Sequence, residues 1–136
     1  MNYRLSKANP HHKEWLYLLH KNTLGPYAAQ VYGWDEKLQR DIFEERFLKG
    51  NDFLIIVNED PIGMISFLEN DDNINILRIE VAPERQNQGI GTAVIKDIMK
   101  EAKFKSKAVI LRVLKINPAK GLYDRLGFET TSEDET

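Results

Sequence analysis

A mixed α/β fold, with a mostly antiparallel central sheet and flanking helices, is predicted by three observations in this 136-residue chain. Two apolar runs, FLIIV at 53–57 and IGMISFL at 62–68, are separated by little more than the turn formers NEDP, so they should pair as an antiparallel hairpin. A third strand-like run, INILRIEV at 74–81, is followed by a helical stripe and then by AVILRVL at 108–114, which is the pattern of a strand, a crossover helix and a parallel strand. The stretch ahead of the hairpin carries two segments of helical spacing.

Size and composition set the limits. A chain with 42% hydrophobic and 29% charged residues can bury a real core, and residues 1–136 are read as one domain. The net charge of −2, with Lys and Arg scattered, argues against a nucleic-acid partner. With no cysteine, a disulfide framework, a thiolate metal site and a cysteine acyl intermediate are excluded. The first residues have no signal-like apolar core and no stretch approaches the roughly 20 apolar residues that cross a bilayer, so a cytoplasmic protein with no membrane partner is expected.

The elements follow in order. YRLSKA reads as a short strand, after which Pro10 opens a helix with Trp15, Leu18 and Leu19 at helical spacing. Between Gly25 and Gly33 the turn formers and aromatics read as a link, and Asp35 caps a second helix with Leu38, Ile42, Phe43 and Phe47 on one face, ending near Gly50. In the 74–81 run, Leu77, Ile79 and Val81 should share one face while Arg78 and Glu80 share the other. Val94, Ile95, Ile98, Met99 and Ala102 form the stripe of the crossover helix, and 108–114 is continuous enough for a buried central strand. Asn117 opens a last helix with Ala119, Leu122, Tyr123 and Leu126 on one side, Pro118 at its first position and Gly127 as its C-terminal cap; Phe128 begins another strand.

Between the third strand and the crossover helix lies RQNQGIGTAV, with Gly89 and Gly91 one residue apart. Glycine inside a helix costs about 1 kcal/mol against alanine, so the pair needs a backbone reason, either a bare turn or a bound anion. Free N–H groups and the helix dipole at such a junction suit phosphate oxygens. The dinucleotide fingerprint lacks its third glycine here, and no glycine-lysine-serine/threonine element of a nucleoside triphosphate loop is present.

QNQGIG at 86–91 resembles the Gln/Arg-x-x-Gly-x-Gly/Ala signature of the GNAT superfamily of N-acetyltransferases, and it follows a strand ending in Val81-Ala82-Pro83 as that signature does. Residues 117–128, from Asn117 through Tyr123 to Leu126-Gly127-Phe128, resemble the family's second signature, and the element order matches over nearly the whole chain. The resemblance implies a fold whose central parallel strands splay apart. It also implies acetyl-coenzyme A as cosubstrate, its pyrophosphate held by backbone amides of Gln88, Gly89, Ile90, Gly91 and Thr92, with Gln86 and Asn87 at the loop entrance and the pantetheine arm against backbone at Val81.

The implied reaction is direct attack of a primary amine on the thioester in a ternary complex, which needs a base, an oxyanion donor and a proton for the leaving thiolate. By resemblance Tyr123 is the proton donor, and a phenol of reference pKa about 10 can protonate an alkanethiolate; packing of its helix is the alternative. Glu80 is the candidate general base, with simple pairing to Arg78 or a water chain as alternatives, and a backbone N–H near Val81 is the expected oxyanion donor. Asn117 both caps its helix and, by resemblance, reaches the coenzyme arm; Lys120 or Lys96 could meet the 3′-phosphate.

Acceptor choice is expected to come from the first half, where Tyr27, Tyr32 and Trp34 could wall a small-molecule amine or pack helices onto the sheet. Acetylation of a protein lysine or N-terminal amine, and a coenzyme A-binding module without catalysis, are the alternative readings. His11, His12 and His20 show no ligand spacing supported by a carboxylate, so no metal is expected. Residues after Phe128 are polar and acidic, so the final strand is expected to be short or missing, and an open sheet edge favours a homodimer.

Overall fold

Residues 2–32 and 35–111 are described by a computed structural model, the side chains of residues 24–32 excepted. Strands β1 (Arg4–Lys7), β2 (Asp52–Val57), β3 (Asp60–Glu69), β4 (Asn73–Val81) and β5 (Ala108–Leu111) form one sheet in sequence order. The first three pairings are antiparallel and β4–β5 is parallel. The hairpin between β2 and β3 turns on Asn58 and Glu59, whose positive φ values of 51° and 67° give the left-handed two-residue turn that matches strand twist.

Helices α1 (Lys13–Tyr32) and α2 (Glu36–Leu48) cover one face of the sheet, and α3 (Ile90–Phe104), the crossover between β4 and β5, covers the other. Asp35 caps α2 as its sequence position suggests, its side chain accepting from the Leu38 N–H at 3.0 Å. The α3 face is an apolar core of Ile55, Ile65, Ile76, Val94 and Ile98. The opposite face packs Leu16, Tyr17, Phe43, Leu54 and Met64.

Four local expectations are corrected. The stretch from Gly25 is not a link, because α1 runs on through Tyr32; the helix continues into the helix-forming AAQ despite costs of about 1 kcal/mol for Gly25 and about 3 kcal/mol for Pro26, because propagation from three formed turns needs no new nucleus. The buried stripe of α1 is Leu16, Tyr17, Leu19, His20 and Thr23, with Leu18 turned out to 48% exposure. A bulge in β4 leaves Leu77 outside the register, since Ser66 faces Arg78 and Phe67 faces Ile76. That extra residue shifts the alternation, so Ile76, Ile79 and Val81 share the α3 face and Leu77 is exposed. Finally, only Val109 and Leu111 of β5 pack on the core, while Ala108 and Ile110 are exposed; residues 112–114 lie outside the described residues.

Candidate active site

The loop after β4 is built by local backbone chemistry. The Ala82 N–H donates to the Ile62 carbonyl at 2.8 Å and closes the strand pair, after which Pro83 opens a single 3₁₀ turn to Arg85. Asn87 then takes φ 64° and Gly89 φ 82°, two left-handed residues that swing the chain into α3. No side chain caps this helix, and its first backbone bond runs from the Ala93 N–H to the Gly89 carbonyl at 3.0 Å. The N–H groups of Ile90, Gly91 and Thr92 therefore have no partner within the helix. A Cβ placed on Gly89 would meet nothing within 4 Å, and one on Gly91 would meet only Val81 Cγ2 at 3.9 Å. Open space over an uncapped, positively polarised helix end fits an anion.

Within that loop the side chains divide. Gln86, Asn87, Gln88 and Gly89 are exposed, whereas the Ile90 side chain is core and offers only its backbone outward. Gln86 Nε2 donates to the Val81 carbonyl at 2.9 Å, tying the loop back onto the end of β4. Gly63, paired with Val81, allows the strands to meet there, because a Cβ on it would overlap the Glu80 carbonyl oxygen.

Glu80 projects to the opposite face, beneath α1, with a side chain 1% exposed. Its Oε2 lies 2.6 Å from His20 Nδ1, a buried pairing across 60 residues of sequence. Its Oε1 is buried and has no hydrogen-bond partner among the described residues. A buried carboxylate oxygen without a donor carries a desolvation cost, which a ligand N–H would relieve. The pair as a whole can exchange a proton between carboxylate and imidazole.

Two expectations change here. Glu80 does not pair with Arg78: Arg78 turns to the buried Asp52, at 3.4 Å and 3.5 Å from its two oxygens. And one histidine does have a carboxylate partner, His20. Its signal in the sequence is a titratable residue on the Leu16, Leu19, Thr23 stripe, where an apolar one would serve packing better. His12 accepts from the Asn9 N–H and the His11 N–H donates to Asn9, which builds the turn before α1. Among the described residues no group of three or more His, Cys, Asp or Glu could hold a metal, and no helix is long and apolar enough to cross a membrane.

The remaining candidates are placed as follows. Trp34, Asn117, Lys120 and Tyr123 lie outside the described residues. Tyr27 and Tyr32 fall on the backbone of α1, with their side chains outside the described set. Lys96 is exposed on α3.

The family model for the acetyltransferase (GNAT) family matches residues 13–128. Among solved structures, the chain is similar to the PaiA N-acetyltransferase of Thermoplasma acidophilum in complex with coenzyme A, with a TM-score of 0.74 at 18% identity, covering 98% of this chain and 94% of that one. A predicted acetyltransferase of Clostridium acetobutylicum with acetyl-CoA gives a TM-score of 0.66 at 18% identity, over 98% and 92% of the two chains. AAC(6')-Iy in complex with the bisubstrate analogue CoA-S-monomethyl-acetylneamine gives 0.61 at 16% identity, over 98% and 95%. No curated protein sequence matches the chain.

Proposed function

The chain belongs to the GNAT acetyltransferase family, and from that premise we propose that it transfers the acetyl group of acetyl-coenzyme A to a primary amine, with Glu80 as general base and a small molecule as acceptor. The observation that carries the reading is the Glu80 carboxylate. One oxygen is held by His20 while the other is buried and has no partner among the described residues, one residue before the strand end from which the chain turns into the uncapped α3. An ammonium N–H donated to Oε1 would satisfy that oxygen and put the proton where it must go before attack.

The residues around the loop have assigned parts in this reading. Backbone N–H groups from Gln88 to Thr92 hold the pyrophosphate, and the open space over Gly89 and Gly91 admits it. Gln86 and Asn87 shape the entrance, Gln86 by its bond to Val81. The end of β4 at Val81 is where the pantetheine arm and thioester are placed, with a backbone N–H there for the oxyanion. Tyr123 supplies the proton to the leaving sulfur and Asn117 holds the arm. Tyr27, Tyr32 and Trp34 form the acceptor wall. The structures similar in fold that carry coenzyme A, acetyl-CoA or an acetylneamine analogue support the choice of cosubstrate and acceptor class.

Release of free thiol from acetyl-CoA, followed with a panel of primary amines (spermidine, neamine and glycinamide), tests the proposal. Thiol release that depends on the amine, and that falls about 10²-fold or more in Glu80→Gln, is the expected result. Folded protein that releases no thiol with any amine would overturn it.

A further inference from the structure

The proposed transfer leaves a proton that Glu80 cannot discharge alone. An ammonium ion must lose a proton to expose its lone pair; the C–N bond then forms, the C–S bond breaks, and the sulfur leaves as a thiol. The sum is R–NH3+ plus acetyl thioester giving R–NH–CO–CH3, thiol and one free proton per turnover. The Glu80 side chain is only 1% exposed, so water has little access to it.

Among the described residues its surroundings offer one outlet. Across the sheet Glu80 faces Met64, which cannot carry a proton. Arg78, two residues back on the same strand, is bonded to Asp52. On the α1 side, Leu16 and Leu19 are apolar, and His20 alone among them meets the carboxylate, with its own side chain 11% exposed. An imidazole can accept a proton at one ring nitrogen and release it from the other.

We infer that His20 is a positioning residue for Glu80 and its proton outlet: as Oε1 takes the proton from the ammonium, the one proton shared across the 2.6 Å Oε2–Nδ1 pair settles on Nδ1, and the ring releases its Nε2 proton at the surface of α1. The inference rests on the assignment of Glu80 as base.

A structural hydrogen bond needs only a donor at the Nδ1 position; an outlet needs a group that titrates. His20→Asn keeps an amide donor near Nδ1 and carries no proton, and His20→Ala leaves room for added imidazole. Both are assayed with acetyl-CoA and whichever of spermidine, neamine and glycinamide is turned over fastest. The expected result is that His20→Asn unfolds at the wild-type temperature and keeps the wild-type KM for acetyl-CoA within about twofold, while kcat falls about 10²-fold. Imidazole should raise the rate of His20→Ala by on the order of tenfold or more. Near-wild-type kcat in His20→Asn beside an inactive Glu80→Gln would overturn the outlet and leave the base assignment intact. Retained activity in Glu80→Gln would overturn both. If His20→Ala does not fold, because it strands a buried carboxylate, His20→Asn decides alone.

Discussion

The two faces of the sheet are built from different materials. Toward α3 the buried positions among the described residues are apolar, from Ile55 and Ile65 through Ile74 and Ile76 to Val94 and Ala102. Toward α1 and α2, Leu54, Ile56 and Met64 share the interior with buried polar residues: Asp52, Ser66 and Glu80 on the strands and His20 and Thr23 on α1. Alternation puts both sets on the same strands, so the sheet divides an apolar core from a face with buried polar groups. Burying polar groups costs free energy unless they are paired. Asp52 is paired with Arg78 and Glu80 with His20, but one Glu80 oxygen has no donor among the described residues. The carboxyl and imidazole groups buried among the described residues, His20, Asp52 and Glu80, lie on the α1 face, so substitutions in the apolar core leave them in place.

That contrast can be broken from either side. Ile76→Ala, at a fully buried position of the apolar face, should cost about 2–5 kcal/mol in denaturant unfolding, while thiol release per folded molecule stays near wild type. Gly63→Ala strikes where the strands approach most closely. Its Cβ would overlap the Glu80 carbonyl, so a loss of about 1–3 kcal/mol is expected, together with a fall in turnover as the end of β4 is displaced. Asp35→Ala removes the cap of α2 over the polar face and should cost about 1 kcal/mol in thermal or denaturant unfolding. An equal loss of activity in Ile76→Ala and Glu80→Gln would erase the division between faces.

The smallest effect lies at the rim of the apolar face. Glu69 on β3 accepts from Lys107 and Lys105, and these bonds hold its carboxyl below the ordinary value of 4.5. A carboxyl lowered in the folded state stabilises above its unfolded value, and that contribution fades as pH falls through the folded one. Wild type should therefore unfold at a slightly higher temperature than Glu69→Gln near neutral pH, and the gap should close in acid. Exposure and salt screening keep the effect small.

Much of the frame was legible in the sequence because it rests on local chemistry. Turn formers between alternating runs located the hairpin, Asp35 announced α2, and the spacing of Val94, Ile95, Ile98 and Ala102 announced α3. Gly89 was legible for the same reason, since a left-handed residue at a strand-to-helix junction favours glycine. What escaped depends on partners far along the chain. The Leu77 bulge is a property of the β3–β4 register, which no alternation within β4 alone reveals. The continuation of α1 past Gly25 sets helix propagation against two local breakers. The His20–Glu80 pair joins residues 60 apart, and its one local trace is a histidine on a buried stripe.

In the proposed function the loop from Gln86 to Thr92, at the end of β4, holds acetyl-coenzyme A beside Glu80. Thermal unfolding of the whole chain against acetyl-CoA concentration tests it most directly. A ligand at a hundredfold excess over its dissociation constant adds about 2.7 kcal/mol of stability, so a saturable rise in melting temperature, abolished in Gly89→Val, is the predicted result. An unchanged melting temperature in folded protein at millimolar acetyl-CoA would contradict the account and leave Gly89 and Gly91 as parts of a turn.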